Sequence, residues 1–80
     1  MNGAVRIALA NLRFPASRDE SVELTEQAVA EAAAQCASII AFPECYVPGY
    51  RAPGKNVAPP DAAFLERAWN RIAEAAKRHR

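Results

Sequence analysis

The chain has 80 residues, which is enough for one small domain but buries only about 60% of the surface that the unfolded chain exposes. Hydrophobic residues make up 51% of the chain, but 19 of the 80 residues are alanine, so large apolar side chains are few. The net charge of +1 gives no general attraction to nucleic acid or to an anionic membrane, which excludes a strongly basic binding protein.

The sequence shows no pattern of membrane insertion or secretion. No apolar run approaches the roughly 20 residues of a membrane span, and the N-terminus lacks the basic and then apolar segments of a signal peptide. The two cysteines, Cys36 and Cys45, have neither a disulfide-framework spacing nor a histidine cluster beside them. We therefore expect a cytoplasmic protein that binds no metal, cofactor, membrane or nucleic acid.

A strand and a long helix are the first predicted elements. Residues 4–10 alternate large apolar side chains with arginine or alanine, which predicts a strand, and the small alanines suggest that its second face is also covered. Ser17 and Glu20 have the spacing of a capping box and predict a helix over residues 18–36. The apolar stripe of this helix consists of Val22, Thr25, Val29, Ala32, Ala33 and Cys36.

A second strand, an irregular segment and a second helix follow. Residues 38–42 form an apolar run without alternation, which is typical of a parallel strand covered on both faces. Residues 43–60 hold five of the six prolines, and a loop of this length in a small domain is usually functional. Asp61 after two prolines predicts the start of the second helix. Its apolar stripe, with Trp69 expected in the core and His79 at the frayed end, consists of Phe64, Leu65, Ala68, Trp69, Ile72, Ala75, Ala76 and His79.

The order strand, helix, strand, loop, helix predicts an α/β fold. A helix that links two strands implies a right-handed parallel β-α-β unit. Two strands leave sheet edges open, and isolated two-stranded sheets are marginally stable. We therefore expect an incomplete β-α-β-loop-α segment from the start of a larger α/β domain.

Glu44 is the residue best placed for chemistry. Ligands of open α/β sheets bind beyond the carboxyl ends of the strands, and Glu44 lies two residues past the predicted second strand. Pro43 fixes the backbone direction before it, and apolar neighbours are expected to raise its proton affinity, which suits a general base. An exposed loop glutamate or a capping residue is the alternative that the sequence leaves open.

The segment "IIAFPECYVPGYR" resembles the region around the first catalytic residue of the nitrilase superfamily, the carbon–nitrogen hydrolases. The pattern there is a hydrophobic strand, then Phe-Pro-Glu, then a short loop with Gly-Tyr. Upstream, "VRIALANLRF" is similar to the family's first strand, and the long helix before "ASIIAFPE" is similar to its first helix. The resemblance covers nearly the whole chain but only one catalytic motif.

This resemblance implies an α-β-β-α sandwich, with residues 1–80 as the N-terminal part of a single hydrolase domain, and a Glu-Lys-Cys triad. In the family the cysteine attacks a nitrile or amide carbon, the glutamate acts as general base, and the lysine stabilises the tetrahedral intermediate. Only the glutamate carries over, to Glu44, since the lysine and the cysteine lie on later strands. The 80-residue chain is therefore expected to be inactive by itself.

Three further residues lie close to Glu44 in the sequence and are candidates for a role at the site. Tyr46 and Tyr50 flank the motif, and relatives use this loop to form the substrate pocket, so the two rings either line a pocket or simply pack down. Cys45 is expected to point away from its neighbour and to be a bystander, not the nucleophile. The resemblance leaves the substrate open among nitriles, aliphatic amides and N-carbamyl amino acids, and it implies a homo-oligomer.

The remaining candidates receive structural roles. Cys36 ends the first helix where relatives commonly have glycine, which is a left-handed position. Arg51 and Lys55 are expected to be solvated charges, and reception of an acidic substrate or partner is the alternative for Arg51. A non-catalytic fragment that associates with another copy, or with the rest of the domain, is the alternative function. A nucleotide-binding β-α-β module is disfavoured because "NLRFPAS" contains no glycine-rich phosphate loop.

Overall fold

The computed structural model describes residues 5–43, 46–49, 54, 59 and 61–79. In chain order, the elements are strand β1 (Ile7–Leu9), helix α1 (Arg18–Ala34), strand β2 (Ile39–Ala41) and helix α2 (Ala62–His79). The predicted order of elements is confirmed. Both strands are shorter than their apolar runs, because each strand extends only as far as its backbone pairs with that of the other strand.

The two strands form a parallel pair, as the β-α-β order predicts. Their register is Ile7 with Ile39, Ala8 with Ile40 and Leu9 with Ala41. Just outside the strands, the Ser38 N–H donates to the Arg6 carbonyl and the Ala10 N–H donates to the Ala41 carbonyl, both at 2.9 Å. Since the strands run in the same direction, the loops that follow β1 and β2 leave from one edge of the sheet.

A side-chain oxygen accepts a hydrogen bond at the start of each helix. The Ser17 hydroxyl accepts from the Glu20 N–H at 3.0 Å, which confirms the predicted cap of α1. The Asp61 carboxylate accepts from the Phe64 N–H at 3.1 Å, so α2 begins where the sequence indicates. These bonds satisfy N–H groups that have no partner within the helix.

The end of α1 is a Schellman motif. Cys36 has a φ of 62°, its N–H donates to the Ala33 carbonyl at 2.9 Å, and the Ala37 N–H donates to the Ala32 carbonyl at 3.0 Å. The left-handed position that the resemblance implied for Cys36 is therefore observed. The helix ends at Ala34, two residues earlier than predicted.

The packed core lies between the two helices. Val22 of α1 and Phe64 and Ala68 of α2 form a buried cluster, against which Val47 packs. Arg18 of α1 also contacts the start of α2. Its guanidinium lies 4.9 Å from the Phe64 ring centroid and donates to the Asp61 carboxylate at 3.0 Å. Further along, Arg71 of α2 forms a two-bonded ion pair with Glu26 of α1, with distances of 2.5 and 3.2 Å.

The prediction that Trp69 belongs to the core is wrong, because its side chain is 75% exposed. The apolar stripe of α2 is wider than the surface that α1 covers. Phe64, Ala68 and Ala75 meet the core, whereas Leu65 and Trp69 lie on the uncovered flank. His79, the last residue of α2, is half-buried.

The expectation that both faces of the strands are covered is also wrong for the residues that the structure describes. Ala8, Ala10 and Ile40 are half-buried. The opposite face consists of Val5, Ile7, Leu9 and Ile39, which are between 54% and 81% exposed. One apolar face of the sheet therefore has no cover in the described part of the chain.

Neither of the two helices in the described part of the chain is long and apolar enough to cross a membrane.

Candidate functional site

The candidate site lies at the carboxyl edge of the sheet, where ligands of open α/β sheets bind. Phe42 and Pro43 leave β2 at this edge, and Arg13 belongs to the loop that leaves β1 at the same edge. Glu44 directly follows Pro43 in the sequence but lies outside the described residues. The other predicted residues that lie outside them are Cys45, Tyr50, Arg51 and Lys55.

Tyr46 is the best-held side chain at this edge. It is only 6% exposed, its ring stacks on Phe42 with centroids 6.4 Å apart, and its N–H donates to the Pro43 carbonyl at 3.2 Å. Its hydroxyl donates to the Arg13 carbonyl at 2.9 Å. Burial raises the pKa of the Tyr46 hydroxyl above its ordinary value of 10.0, which extends to higher pH the range over which the group is a hydrogen-bond donor.

Arg13 is in turn clamped to the first turn of α1. Its two terminal nitrogens donate to the two oxygens of Glu20 at 2.8 and 2.7 Å, which is the bidentate geometry of the strongest charge-assisted pairs. Glu20 also accepts from the Ala16 N–H at 2.6 Å. The bond from Arg13, followed by the one from Ala16, lowers the pKa of Glu20, while the Glu20 carboxylate raises the pKa of Arg13.

The segment after Tyr46 is packed onto the helices. Val47 contacts the cluster of Val22, Phe64 and Ala68. Gly49 is buried with a φ of 142°, a conformation that residues with a side chain rarely adopt. Residues 46–49, on the C-terminal side of Glu44, are therefore packed against the core, while Pro43 on the other side continues from β2.

The structure separates the described thiol from this edge. Cys36 is exposed and precedes β2, whereas Phe42 and Pro43 follow it. The thiol thus lies at the amino end of the strand, away from the residues that flank Glu44. This placement agrees with the structural role that the sequence assigns to Cys36.

A cleft of about 410 Å³ lies elsewhere, between β1 and α1. Its lining includes Arg6, Ala8, Ala28 and Gln35 but none of the residues that follow β2. We attribute the cleft to the open edge of β1 and not to the candidate site. No group of three or more histidine, cysteine or acidic residues suited to a metal ion occurs in the described ranges.

Arg13 is a residue of this edge that the sequence did not predict. An arginine in a loop, seven residues before a helix-capping glutamate, is a weak signal, because helix neighbours are three or four residues apart. The acidic first turn of α1, Asp19 and Glu20, was the available signal for a cationic partner. The sequence does not show which positively charged side chain reaches that turn, because this depends on the path of the loop.

Comparison with protein families supplies what the geometry leaves open. The family model for carbon–nitrogen hydrolases matches residues 6–80. The match covers both strands, both helices and the segment around Glu44, so the chain belongs to the carbon–nitrogen hydrolase family. Comparison with curated proteins and with solved structures gives no significant match.

Proposed function

We propose that this chain supplies the general base of a carbon–nitrogen hydrolase and that Glu44 is that base. The cysteine nucleophile and the lysine that stabilises the tetrahedral intermediate come from strands outside these 80 residues. In this mechanism Glu44 accepts the proton of the attacking thiol and passes it to the substrate nitrogen. In the second half of the reaction the restored carboxylate accepts a proton from the water that releases the product and returns it to the departing thiolate. No cofactor takes part.

The observation that supports this proposal is the place in the fold of Phe42 and Pro43, the two residues that precede Glu44 in the sequence. Phe42 and Pro43 follow β2 at the carboxyl edge of a parallel pair, where α/β sheets bind ligands. The family match extends across the Phe-Pro-Glu motif. Glu44 stands in the sequence between Phe42, which is half-buried, and Tyr46, which is buried, and apolar sequence neighbours of this kind are the basis for expecting a general base there.

The substrate of the complete enzyme is proposed to be a small nitrile, an aliphatic amide or an N-carbamyl amino acid. Tyr46 and Tyr50 are the pocket residues that this chain would contribute. The Tyr46 side chain is only 6% exposed and its hydroxyl is engaged by the Arg13 carbonyl, so Tyr46 would support the wall of the pocket, and Tyr50 would be the residue that contacts a substrate. A homo-oligomer is the proposed form of the complete enzyme.

Ammonia release from these three substrate types tests the role of Glu44. We expect no turnover by the 80-residue chain, because the nucleophile and the lysine are lacking. We expect turnover by the protein translated from the reading frame that carries this segment together with the lysine and the cysteine. There, Glu44→Gln should lower kcat by roughly 10²–10⁴-fold, the usual contribution of a general base.

The matched control is Glu66→Gln, which changes an exposed glutamate of α2 and should leave kcat within about twofold. Turnover by the 80-residue chain alone would contradict the proposed division of the triad. Turnover that survives Glu44→Gln would contradict the role of Glu44.

The uncovered apolar faces favour a second candidate, a non-catalytic association module of the same fold. Leu9 on the sheet is 81% exposed, and Trp69 on α2 is 75% exposed. Large apolar side chains at this exposure, when they are contiguous, mark surfaces that another element covers. A second copy or the rest of the domain would supply that cover.

A further inference from the structure

We propose that Tyr46 and the Arg13–Glu20 ion pair are positioning groups for Glu44, because they hold Tyr46, two residues later in the sequence, to the loop that precedes α1. We call these three side chains the brace. The inference rests on the proposed function of Glu44 and goes beyond it, since it assigns roles to residues outside the triad.

The first step is the attachment of Tyr46. Glu44 lies between Pro43, which continues from β2, and Tyr46, whose N–H donates back to the Pro43 carbonyl at 3.2 Å. The ring of Tyr46 is fixed by burial and by its stacking on Phe42. The stacking needs only an aromatic ring, which phenylalanine would supply equally. The hydroxyl therefore makes a separate contribution, the 2.9 Å bond to the Arg13 carbonyl.

The second step is the attachment of Arg13. A carbonyl in an irregular loop is a poor anchor unless the loop itself is held. Here the Arg13 side chain forms two hydrogen bonds to Glu20, and Glu20 also accepts from the Ala16 N–H of the same loop. Glu20 belongs to the first turn of α1. The brace thus connects the loop after β1, the start of α1 and the segment after β2.

The consequence for catalysis is geometric. A general base must be within about 2.6–3.2 Å of the proton that it accepts, and an error of about 1 Å in position can lower the rate by roughly 100-fold. The two ends of the short segment around Glu44 are fixed by β2 and by Tyr46. Releasing the hydroxyl of Tyr46, or the two-bonded grip on Arg13, loosens one of those ends.

The test measures the carboxyl group itself and does not require turnover. The 80-residue chain is labelled with ¹³C at the Cδ atom of every glutamate, and the NMR signal that disappears in Glu44→Gln is the signal of Glu44. The pH at which this signal is halfway through its titration is then measured. Tyr46→Phe removes only the hydroxyl. Arg13→Lys retains the positive charge but loses the bidentate geometry. In both variants we expect the midpoint of Glu44 to move at least halfway toward about 4.3, the value of a solvated glutamate.

Thr25→Val is the matched control. The Thr25 hydroxyl is also buried and also donates to a backbone carbonyl, that of Ser21 at 2.8 Å, but it lies within α1. Its loss should lower the urea midpoint about as much as Tyr46→Phe does while leaving the titration of Glu44 unchanged. Because Arg13 is exposed, Arg13→Lys also answers the question should Tyr46→Phe fail to fold.

Three results would overturn the inference: an unchanged Glu44 midpoint in both brace variants, an equal shift in Thr25→Val, or a Glu44 that titrates as a solvated glutamate in the unmodified chain. The last result would leave no held carboxylate for the brace to position. The proposed function fails separately, in the turnover assay, if Glu44→Gln remains active. A brace confirmed by titration and a base refuted by turnover are thus distinguishable results.

Discussion

Cys36 adopts a backbone conformation that costs a residue with a side chain about 1–2 kcal/mol. Its φ of 62° is imposed by the Schellman motif, in which the Ala37 N–H must reach the Ala32 carbonyl. The side chain is exposed, so no buried contact offsets this cost. At the residue scale, Cys36 is therefore a site of local strain in the described chain.

Replacing Cys36 by glycine is expected to stabilise the fold. Glycine removes the strain but adds about 0.5–1 kcal/mol of backbone entropy to the unfolded state, so the net gain in the free energy of unfolding should be about 0.5–1 kcal/mol. Urea unfolding measures this change. Gln35→Gly is the control. Gln35 has a φ of −96°, so glycine relieves no strain there and should lower the free energy of unfolding. A loss of stability in Cys36→Gly would show that the thiol makes a contact that matters.

At the scale of elements, each helix has a carboxylate at or near its start that makes two contacts. Glu20 binds the Ala16 N–H and Arg13, and Asp61 caps α2 and pairs with Arg18 of α1. The bond from the Phe64 N–H, followed by the one from Arg18, lowers the pKa of Asp61 below its ordinary value of 3.8. Both carboxylates thus connect a helix terminus to another segment.

These two carboxylates predict acid sensitivity. Because their pKa values are lowered in the folded state, the unfolded chain binds protons first as the pH falls through 4.5 for Glu20 and 3.8 for Asp61. Stability should therefore be complete above this range and decrease below it, until the lowered pKa values are passed. Urea midpoints measured between pH 2 and pH 7, roughly the range over which carboxylates titrate, check this dependence.

Glu20→Gln and Asp61→Asn isolate the charge, because glutamine still accepts from the Ala16 N–H and asparagine is still a good helix cap. Each should flatten the pH dependence of the urea midpoint. Glu23→Gln removes one exposed carboxylate from α1 and serves as the control for net charge. A pH dependence as steep as that of the unmodified chain in both variants would assign the acid sensitivity to other groups.

At the scale of the whole molecule, the fold is less compact than that of a typical domain of this length. Its radius of gyration is 13.7 Å, whereas a compact domain of this length has about 12 Å. The helices share a small core around Phe64, while the outer face of the sheet presents four large aliphatic side chains at more than half exposure. Covering each of them fully would contribute about 1.5–3 kcal/mol.

We expect the isolated chain to self-associate through this sheet face, because a net charge of +1 provides little repulsion between copies. Sedimentation velocity over a wide concentration range should show oligomers, and Leu9→Lys should shift them to monomer. Gln27→Lys, which adds the same charge to an exposed polar position of α1, should not. Trp69 is the single tryptophan, so its fluorescence reports separately on α2. A blue shift on association that Leu9→Lys leaves intact would assign the interface to α2 instead.

Elements whose ends depend on near neighbours were predictable from the sequence. Ser17 and Glu20 define the start of α1, Asp61 defines the start of α2, and the apolar run before Pro43 is a parallel strand, as predicted. The burial of side chains was less predictable. Trp69 and Phe64 both belong to the apolar stripe of α2, yet only Phe64 is buried. Periodicity identifies an apolar stripe but not the part of it that a neighbouring helix covers.

The sequence by itself determined that this is an α/β chain with a glutamate just beyond the carboxyl end of a strand, because strand and helix patterns are local and the order of elements fixes which end carries the loop. Only the tertiary structure decided that Tyr46 meets Arg13, 33 residues away, and that Arg13 in turn pairs with Glu20. The path of a loop fixes such contacts, since it depends on how β1, α1 and β2 pack together and not on the spacing of residues.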